Sequence, residues 1–216
     1  MVIGISGKKG TGKDTLAEMI TALSKNYEIK HYADKLKKIA SILTGIEVEK
    51  FHDKEFKKSF LPEWGMSVRE FMQRLGTEAL RNNLLNEVHI KALFADYKVI
   101  DDSKRATMGD VIDYSECVFP NWVIADVRFP DELTAIKERG GIIIRLNREL
   151  KDESTHESET ALDDAQNDFD LVIDNNGTKE ALWLIASEVL LLANRKERIK
   201  RIIVSDPGDE MDHIYS

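Results

Sequence analysis

Residues 7–15, GKKGTGKDT, have the types and spacing of a loop that binds phosphate groups. They match the pattern G-x-x-x-x-G-K-[ST] at Gly7, Gly12 and Lys13. Glycines let successive backbone N–H groups turn toward an anion, and the lysine reaches the β- and γ-phosphates of a nucleotide. An apolar run before the loop and a helical pattern after it supply the context that such a loop requires. The sequence therefore predicts a nucleotide site made of Lys9, Gly10, Thr11, Gly12, Lys13, Asp14 and Thr15.

Asp14 stands where the pattern has a serine or threonine, whose hydroxyl helps to hold Mg²⁺. A carboxylate is a good ligand for a hard cation, either directly or through water. Thr15 still offers a hydroxyl to a phosphate group. The alternative is that Asp14 only complements the positive end of the helix that follows. We predict Asp14 as a metal ligand.

A second group of charged residues follows the apolar run WVIADV, residues 122–127. Ligands of open α/β sheets bind at the carboxyl ends of the strands, and Asp126 lies at such an end. Asp126 is the second predicted metal ligand, and Arg128 could clamp a phosphate with two hydrogen bonds. Alternatively, Asp126 caps a loop and Arg128 pairs with Asp131 or Glu132.

Two further stretches lie near later strand ends. Arg145 and Arg148 open a charged segment, residues 145–165, where a lid would close and its arginines would neutralise a transferring phosphoryl group. The alternative is a solvated charged linker. The turn at Asn176 and Gly177 could present backbone groups to an adenine edge, or could be an ordinary turn.

The elements that must position these residues form an α/β pattern. Five short apolar runs, at 2–6, 27–32, 122–127, 142–146 and 170–174, read as buried parallel strands separated by helices. The first helix should carry Leu16, Ala17, Ile20 and Leu23 inward. Pro130 should open a later helix that stops at Gly140, and Thr178 should cap the last one.

The second and third strands are separated by about ninety residues, far more than a normal crossover. We interpret residues 34–121 as an insertion that holds a ligand and not as a separate domain. Its best helix begins at Ser67 with a capping box to Glu70 and contains Gly76, which costs about 1 kcal/mol against alanine unless something approaches closely. A polar loop or small hairpin follows. The tail, residues 195–216, reads as a helix end with a short strand over 201–204 as an option.

Composition limits the classes of function. Lysine and arginine number 31 against 39 aspartates and glutamates, so the net charge is −8, which argues against a broad grip on nucleic acid. Cys117 is the only cysteine, the histidines lack zinc spacing, and no apolar run reaches the roughly 20 residues that span a bilayer. We expect a cytoplasmic protein, in the host cytoplasm if the chain is viral, without nucleic-acid or membrane partners. A dinucleotide fingerprint fails at Thr15, and the N-K-x-D string of switch GTPases does not occur.

The ordered stretches ISGKKGTGKDT, YADKLK, MQRLGTEALR, WVIADVRFPDE, HESE and VIDNNGT resemble the deoxynucleoside monophosphate kinases of bacteriophages. The resemblance covers about residues 3 to 185. It implies a single three-layer P-loop kinase domain over residues 1–216, with a five-stranded parallel sheet in the order 2-3-1-4-5, a helical acceptor-binding insertion and a lid. It also implies transfer of the ATP γ-phosphate, with Mg²⁺, to a deoxynucleoside 5′-monophosphate. Homodimers are common among such folds, so a homodimer is a candidate assembly.

The resemblance also implies roles for individual residues. Lys13 would bridge the donor phosphates, with Mg²⁺ near Asp14 and Asp126 behind it. Arg128 would hold the acceptor phosphate, and Arg145 or Arg148 would close from the lid. The acceptor phosphate is its own nucleophile, so no side-chain nucleophile is needed. The acceptor-binding candidates are Asp34, Lys37, Arg69, Gln73, Arg81, Arg128 and Glu132.

Two rival functions remain open at this point. A P-loop kinase for another small acceptor, such as phosphomevalonate or dephospho-coenzyme A, would have the same loop. A nucleotide-gated binding protein would have the loop without transfer activity. The resemblance also leads us to expect a tryptophan some residues after Arg81, where this chain has His89.

Overall fold

The computed structural model describes residues 1–100, 106–108, 111–113, 118–149, 161–162 and 168–205. The chain divides into two compact units, Met1–Ile29 with Val99–Ser216, and Lys30–Lys98. The strands are β1 (Val2–Ser6), β2 (Tyr27–Lys30), β3 (Phe60–Leu61), β4 (Met66–Ser67), β5 (Ala106–Met108), β6 (Val111–Asp113), β7 (Asn121–Val127), β8 (Ile142–Asn147) and β9 (Leu171–Asp174). The α-helices are α1 (Lys13–Leu23), α2 (Asp34–Thr44), α3 (Val68–Gln73), α4 (Val88–Phe94), α5 (Pro130–Glu138) and α6 (Lys179–Ser205).

The first unit is built on a five-stranded sheet in the order β2-β7-β1-β8-β9. In order along the chain these are strands 2-3-1-4-5, so the predicted topology is confirmed. The pairs β1–β7, β1–β8 and β8–β9 are parallel. Parallel strands need long crossover connections, and α1 after β1 and α5 after β7 lie in two of these connections.

Helices cover the sheet on both faces because its strands are apolar on both faces. On one face, Ile3 and Ile5 pack in a buried cluster with residues of α1 and α6. On the other face, Ile136 of α5 lies so close to β1 that a Cβ at Gly4 would be 2.7 Å from its Cδ1. The three-layer α/β class is therefore confirmed. Leu23, predicted to point inward, is 39% exposed because α1 ends at this residue.

The strand register brings three chemically important strand ends together. Ser6, the last residue of β1, pairs with Val127 of β7 on one side and with Arg145 of β8 on the other. The register shifts between Gly4 and Ser6 on the β7 side. The loop that leaves β1 therefore starts between the carboxyl end of β7, which carries Asp126, and that of β8.

The last helix is longer than the sequence indicated. α6 runs from Lys179 to Ser205, so the short strand considered over 201–204 is wrong. Lys196 anchors this part of the helix, since its ammonium donates to the Gly141 carbonyl at 2.8 Å and to the Asp170 carboxylate at 3.1 Å. At the other end, the predicted cap is confirmed, because the Thr178 hydroxyl accepts from the N–H of Ala181.

The predicted hairpin is also confirmed, as the antiparallel pair β5–β6.

The second unit has an apolar cluster of its own, made of Ala40, Phe51, Leu61, Val68 and Phe71. The bounds of this unit, Lys30–Lys98, differ from those of the predicted insertion, residues 34–121. The residues from 99 onward belong to the first unit. There, the N–H of Ile100 donates to the carbonyl of Val118 at 2.8 Å, shortly before β7 begins.

The predicted long helix of this unit changes its winding at its middle. It starts as α3, where the Ser67 hydroxyl caps the helix by accepting from the N–H of Glu70. From Arg74 to Asn82 it continues as a π-helix, a rare form in which each N–H bonds five residues back. The reason for Gly76 is a close approach by α2, because a Cβ there would lie 2.7 Å from the Leu36 Cδ2.

Candidate active site

The phosphate-binding loop joins β1 to α1 in the conformation that anion binding needs. Gly12 is the last residue before the helix and has a φ of 100°, in the region that favours glycine. A glycine has no side chain to cap the helix, and no side-chain cap hydrogen bond is present at this end of α1. Since the helix dipole is positive at this end, the loop favours a negatively charged group.

Lys13 lies over the loop and is only 9% exposed. Its ammonium donates to the carbonyl oxygen of Lys8 at 2.7 Å and also to that of Gly7. The Thr11 hydroxyl donates to the same Lys8 carbonyl at 2.9 Å. Backbone carbonyls thus hold the charged end of Lys13 beside the loop, where a bound phosphate would meet it.

The two predicted metal ligands lie on adjoining elements. Asp14 is exposed in the first turn of α1, and Asp126 is half-buried near the end of β7. Within the part of the chain that is described, no cluster of three or more His, Cys, Asp or Glu side chains could hold a metal by itself. Mg²⁺ in phosphoryl-transfer sites is held by one or two carboxylates, with phosphates and water completing the octahedron. The donor set fits such an ion, and both roles stay predictions.

Glu132 binds the backbone at the start of α5. Its Oε2 accepts from the N–H of Arg128 at 2.7 Å and from the N–H of Phe129 at 3.1 Å. Burial raises the pKa of Glu132 to about 8, and the nearby negative charge of Asp126 adds to the rise. Glu132 was predicted to bind the acceptor, and the structure places its carboxylate at the main chain that carries Arg128.

The two predicted lid arginines lie in different environments. Arg145 belongs to β8 and is 8% exposed; its guanidinium donates to the Ser6 hydroxyl at 3.1 Å and lies 5.7 Å from the Phe169 ring centre. Arg145 is therefore part of the sheet, next to the end of β1 from which the phosphate-binding loop starts. Arg148 is exposed and follows the end of β8. Residues 150–160 and 163–165 of the predicted lid lie outside the described residues.

The turn after β9 reaches the phosphate-binding loop through a residue that sequence reasoning missed. The predicted Asn176 is exposed and its Oδ1 accepts from the N–H of Glu149 at 2.9 Å. Its neighbour Asn175 is 6% exposed and donates from Nδ2 to the Thr11 carbonyl at 2.8 Å. The signal that could have found Asn175 is its position, directly after a strand that ends at the ligand edge of the sheet.

In the second unit, two of the acceptor-binding candidates form an ion pair with histidines around it. The Lys37 ammonium, 7% exposed, lies 3.1 Å from the Asp34 carboxylate and 3.3 Å from His52 Nδ1. The N–H of His31 donates to Asp34 at 2.9 Å, and its Nδ1 lies 3.6 Å from the same carboxylate. Burial opposes ionisation of Asp34, but hydrogen bonds and charge from His31 and Lys37 hold its pKa well below the usual range.

The remaining candidates lie along the α3 and π-helix segment. Arg69 and Gln73 are exposed. Arg81 donates from Nε to the side chain of Asn86 at 3.1 Å. His89, which stands where the resemblance led us to expect a tryptophan, hydrogen-bonds through Nε2 to the Gly76 carbonyl at 3.0 Å.

A family model and a curated relative point to the same family. Residues 38–185 match the family described as "Deoxynucleotide monophosphate kinase". The chain is 32% identical over 191 residues to a protein of Acanthamoeba polyphaga mimivirus described as "Putative deoxynucleotide monophosphate kinase", covering 85% of this chain and 92% of that one. That relative comes from a virus that is not a bacteriophage, so a phage origin stays a prediction.

Solved structures similar to this chain include two kinases of small molecules. Shikimate kinase from Aquifex aeolicus is 13% identical with a TM-score of 0.43, over 91% of this chain and 98% of that one. A sugar kinase from Janibacter is 16% identical with a TM-score of 0.38, over 91% and 97% of the two chains.

Among the helices of the described residues, none has the length and apolar character needed to cross a membrane.

Proposed function

Because the chain belongs to the deoxynucleotide monophosphate kinase family, we propose that it transfers the γ-phosphate of ATP to a deoxynucleoside 5′-monophosphate. The observation that carries the proposal is the loop between β1 and α1, with Lys13 held beside it at 2.7 Å from the Lys8 carbonyl. An oxygen of the acceptor phosphate attacks the γ-phosphorus while the bond to the bridging oxygen breaks. ADP leaves, and the acceptor becomes a diphosphate.

Catalysis in such a reaction is mostly positioning and neutralisation of charge. We assign the N–H groups of the loop and the Lys13 ammonium to the donor phosphates. Arg128 is assigned to the acceptor phosphate, because Glu132 fixes the main chain on which it stands. Arg148 is the exposed arginine that could meet the transferring group. Arg145 acts from the sheet side of the loop, because its guanidinium is bonded to Ser6, the last residue before the loop.

Asp14 and Asp126 would hold Mg²⁺ together with the phosphates of the bound nucleotide. The ion, when bound, would neutralise charge on the donor phosphates. If Asp14 helps to hold it, Asp14→Ala should raise the Mg²⁺ concentration needed for half-maximal activity, with a smaller effect on the KM of the acceptor. An unchanged Mg²⁺ dependence would leave Asp14 only the role of complementing the helix dipole.

The acceptor is assigned to candidates in the second unit, namely Asp34, Lys37, Arg69, Gln73 and Arg81. Support for this assignment comes from the resemblance and from the exposure of Arg69 and Gln73. Asn176 and Gly177 are assigned to the nucleotide base. These roles are separable by kinetics, since acceptor-binding variants should raise the KM of the acceptor and nucleotide-binding variants the KM of ATP.

The direct test is ADP release measured with ATP and each deoxynucleoside monophosphate and ribonucleoside monophosphate in turn. We expect turnover with one or more deoxynucleoside monophosphates. Phosphomevalonate and dephospho-coenzyme A belong in the same panel, and turnover with one of these alone would favour the rival kinase. ATP binding without turnover of any acceptor would favour the nucleotide-gated binding protein.

A homodimer and a cytoplasmic location, in the host if the chain is viral, are further parts of the proposal. Leu184 and Leu191 on the outer face of α6 are 69% and 62% exposed, and an antiparallel pair of two such helices would place one against the other. The same pairing would place Glu180 opposite Arg195. Sedimentation velocity should show a dimer for the wild type and a monomer for Leu184→Glu. A wild type that is monomeric at micromolar concentration would contradict the proposed homodimer.

A further inference from the structure

Asn175 connects the carboxyl end of the sheet to the phosphate-binding loop. Its backbone N–H donates to the Asn147 carbonyl at 2.7 Å, which fixes its main chain at the end of β8. Its side chain crosses to the loop, where Nδ2 donates to the Thr11 carbonyl at 2.8 Å. The two residues are 164 positions apart in the sequence, so this contact exists only in the folded chain.

The chemistry of this contact allows only one orientation of the amide. A carbonyl oxygen only accepts hydrogen bonds, so the Asn175 nitrogen must face Thr11. Both partners are buried: Thr11 is 1% exposed and Asn175 is 6% exposed. A buried carbonyl without a donor is costly because water cannot reach it.

The contact bears on phosphate binding through the direction of the loop's peptide groups. When N–H groups turn toward an anion, the carbonyls of the same segment must point elsewhere. Asn175 binds one of these carbonyls, at the residue before Gly12. There is no room to spare, since a Cβ on Gly12 would lie 2.7 Å from the Asn175 nitrogen.

We propose that Asn175 is a positioning residue that holds the loop in its anion-binding conformation through the Thr11 carbonyl. The residue thus sets the affinity for the triphosphate of the donor and does not read its base. This inference rests on the proposed function for its consequence in catalysis. The bond to Thr11 is independent of which acceptor the enzyme uses.

Two variants of similar shape remove the donor in different ways. Asn175→Leu removes it without adding charge, whereas Asn175→Asp replaces it with an oxygen that faces the Thr11 carbonyl. The KM of ATP should rise at least tenfold in both variants, and the KM of the acceptor should change less than twofold. The matched control is Asn194→Asp, an exposed residue of α6 outside the site, with an unchanged KM of ATP. A merely structural role would lower the active fraction and leave the KM of ATP unchanged in what remains.

Inorganic tripolyphosphate, which has no base, locates the effect. We expect both Asn175 variants to bind tripolyphosphate at least tenfold more weakly than the wild type in direct titration calorimetry. Weakened ATP binding with unchanged tripolyphosphate binding would assign Asn175 to the base and overturn the inference, as would unchanged binding of both. A wild type that binds tripolyphosphate but turns over no acceptor would refute the proposed function and leave the calorimetric test of Asn175 valid.

Discussion

Lys13 and Asn175 in the first unit and Lys37 in the second unit have different kinds of hydrogen-bond partner. In the first unit, Lys13 and Asn175 bond to backbone carbonyls of the phosphate-binding loop. In the second unit, Lys37 bonds to side chains, those of Asp34 and His52. A backbone partner is present whatever residue occupies its position, whereas a side-chain partner changes with the sequence.

This difference indicates a division of labour. A site built on backbone contacts depends on the path of the chain, so it suits the triphosphate, which is common to all reactions of such an enzyme. A site built on pairs of side chains can be altered one residue at a time, so it suits the choice of acceptor. Variants that alter the phosphate-binding loop of the first unit should therefore affect all acceptors equally, whereas the effect of a variant in the second unit should depend on the side chains that it contacts.

The largest effect is expected for Lys13→Ala. Loss of a preorganised positive group at the transferring phosphates should lower kcat by about 10²- to 10³-fold. The fold loss should be the same for every acceptor that the wild type uses. Lys25→Ala, at an exposed lysine beyond the far end of α1, is the control. A loss that differs widely between acceptors would break the division between the two units.

Glu132→Gln tests the buried carboxyl group of the first unit. Its pKa of about 8 lies above the ordinary 4.5, so the native state keeps a proton that the unfolded chain releases. Wild-type stability should fall as the pH rises between these values, by up to about 1.4 kcal/mol per pH unit. Glutamine keeps an oxygen for the N–H groups of Arg128 and Phe129 and does not titrate, so this contribution should vanish.

Chemical denaturation at several pH values between 4.5 and 8 measures the difference between wild type and Glu132→Gln. The variant should gain stability over the wild type toward the upper pH. Glu138→Gln, at an exposed glutamate of the same helix, should follow the wild type. Parallel curves for Glu132→Gln and wild type would mean that the native pKa of Glu132 is ordinary.

Lys37→Met tests the ion pair of the second unit. It leaves the half-buried Asp34 carboxylate without its lysine, which should cost about 1–3 kcal/mol at pH 7. Because the native pKa of Asp34 is lowered, the stability it contributes is present above the ordinary 3.8 and is lost as the pH falls below it. The difference between variant and wild type, measured by urea denaturation, should therefore shrink below about pH 4.

Lys35→Met is a closely matched control. Lys35 lies in the same helix and pairs with Asp96 at 3.0 Å, but the Asp96 side chain is 63% exposed. Exposed pairs contribute about 0–1 kcal/mol, so this variant should lose little stability. Equal losses for the two lysine variants would show that burial of the Asp34–Lys37 pair has no energetic consequence.

How much could be predicted from the sequence also differs between the units, because backbone geometry follows from local patterns and the pairing of distant side chains does not. The loop and the strands of the first unit follow from local patterns, because glycines, apolar runs and their spacing determine backbone geometry, whereas the sheet order was implied by the resemblance to a family. Asn175 was missed because its partner Thr11 is 164 residues away. Arg145 was predicted in a lid because charge alone does not reveal that a strand residue can be buried against Ser6 and Phe169.

In the second unit, the sequence predicted the cap at Ser67 and the existence of the long helix, which depend on neighbouring residues. It did not predict the π-helix from Arg74 to Asn82. It also did not predict the pairing of Lys37 with His52, 15 residues away. These depend on how α2 and its neighbours pack, and one sequence contains no direct record of that packing.

Gly76→Ala should give the smallest effect, and it tests that packing directly. A Cβ at this position would lie 2.7 Å from the Leu36 Cδ2, so the leucine would have to move. We expect a loss of about 1 kcal/mol in the free energy of unfolding, since the clash is with the flexible end of a side chain. In a Leu36→Ala background the clash is absent, and alanine should gain up to about 1 kcal/mol over glycine through its higher helix propensity. The sign of the change should therefore reverse between the two backgrounds when both are measured by urea denaturation. If Gly76→Ala has the same effect in both, the glycine is a weak point of the helix that is tolerated, and close packing by α2 is not its cause.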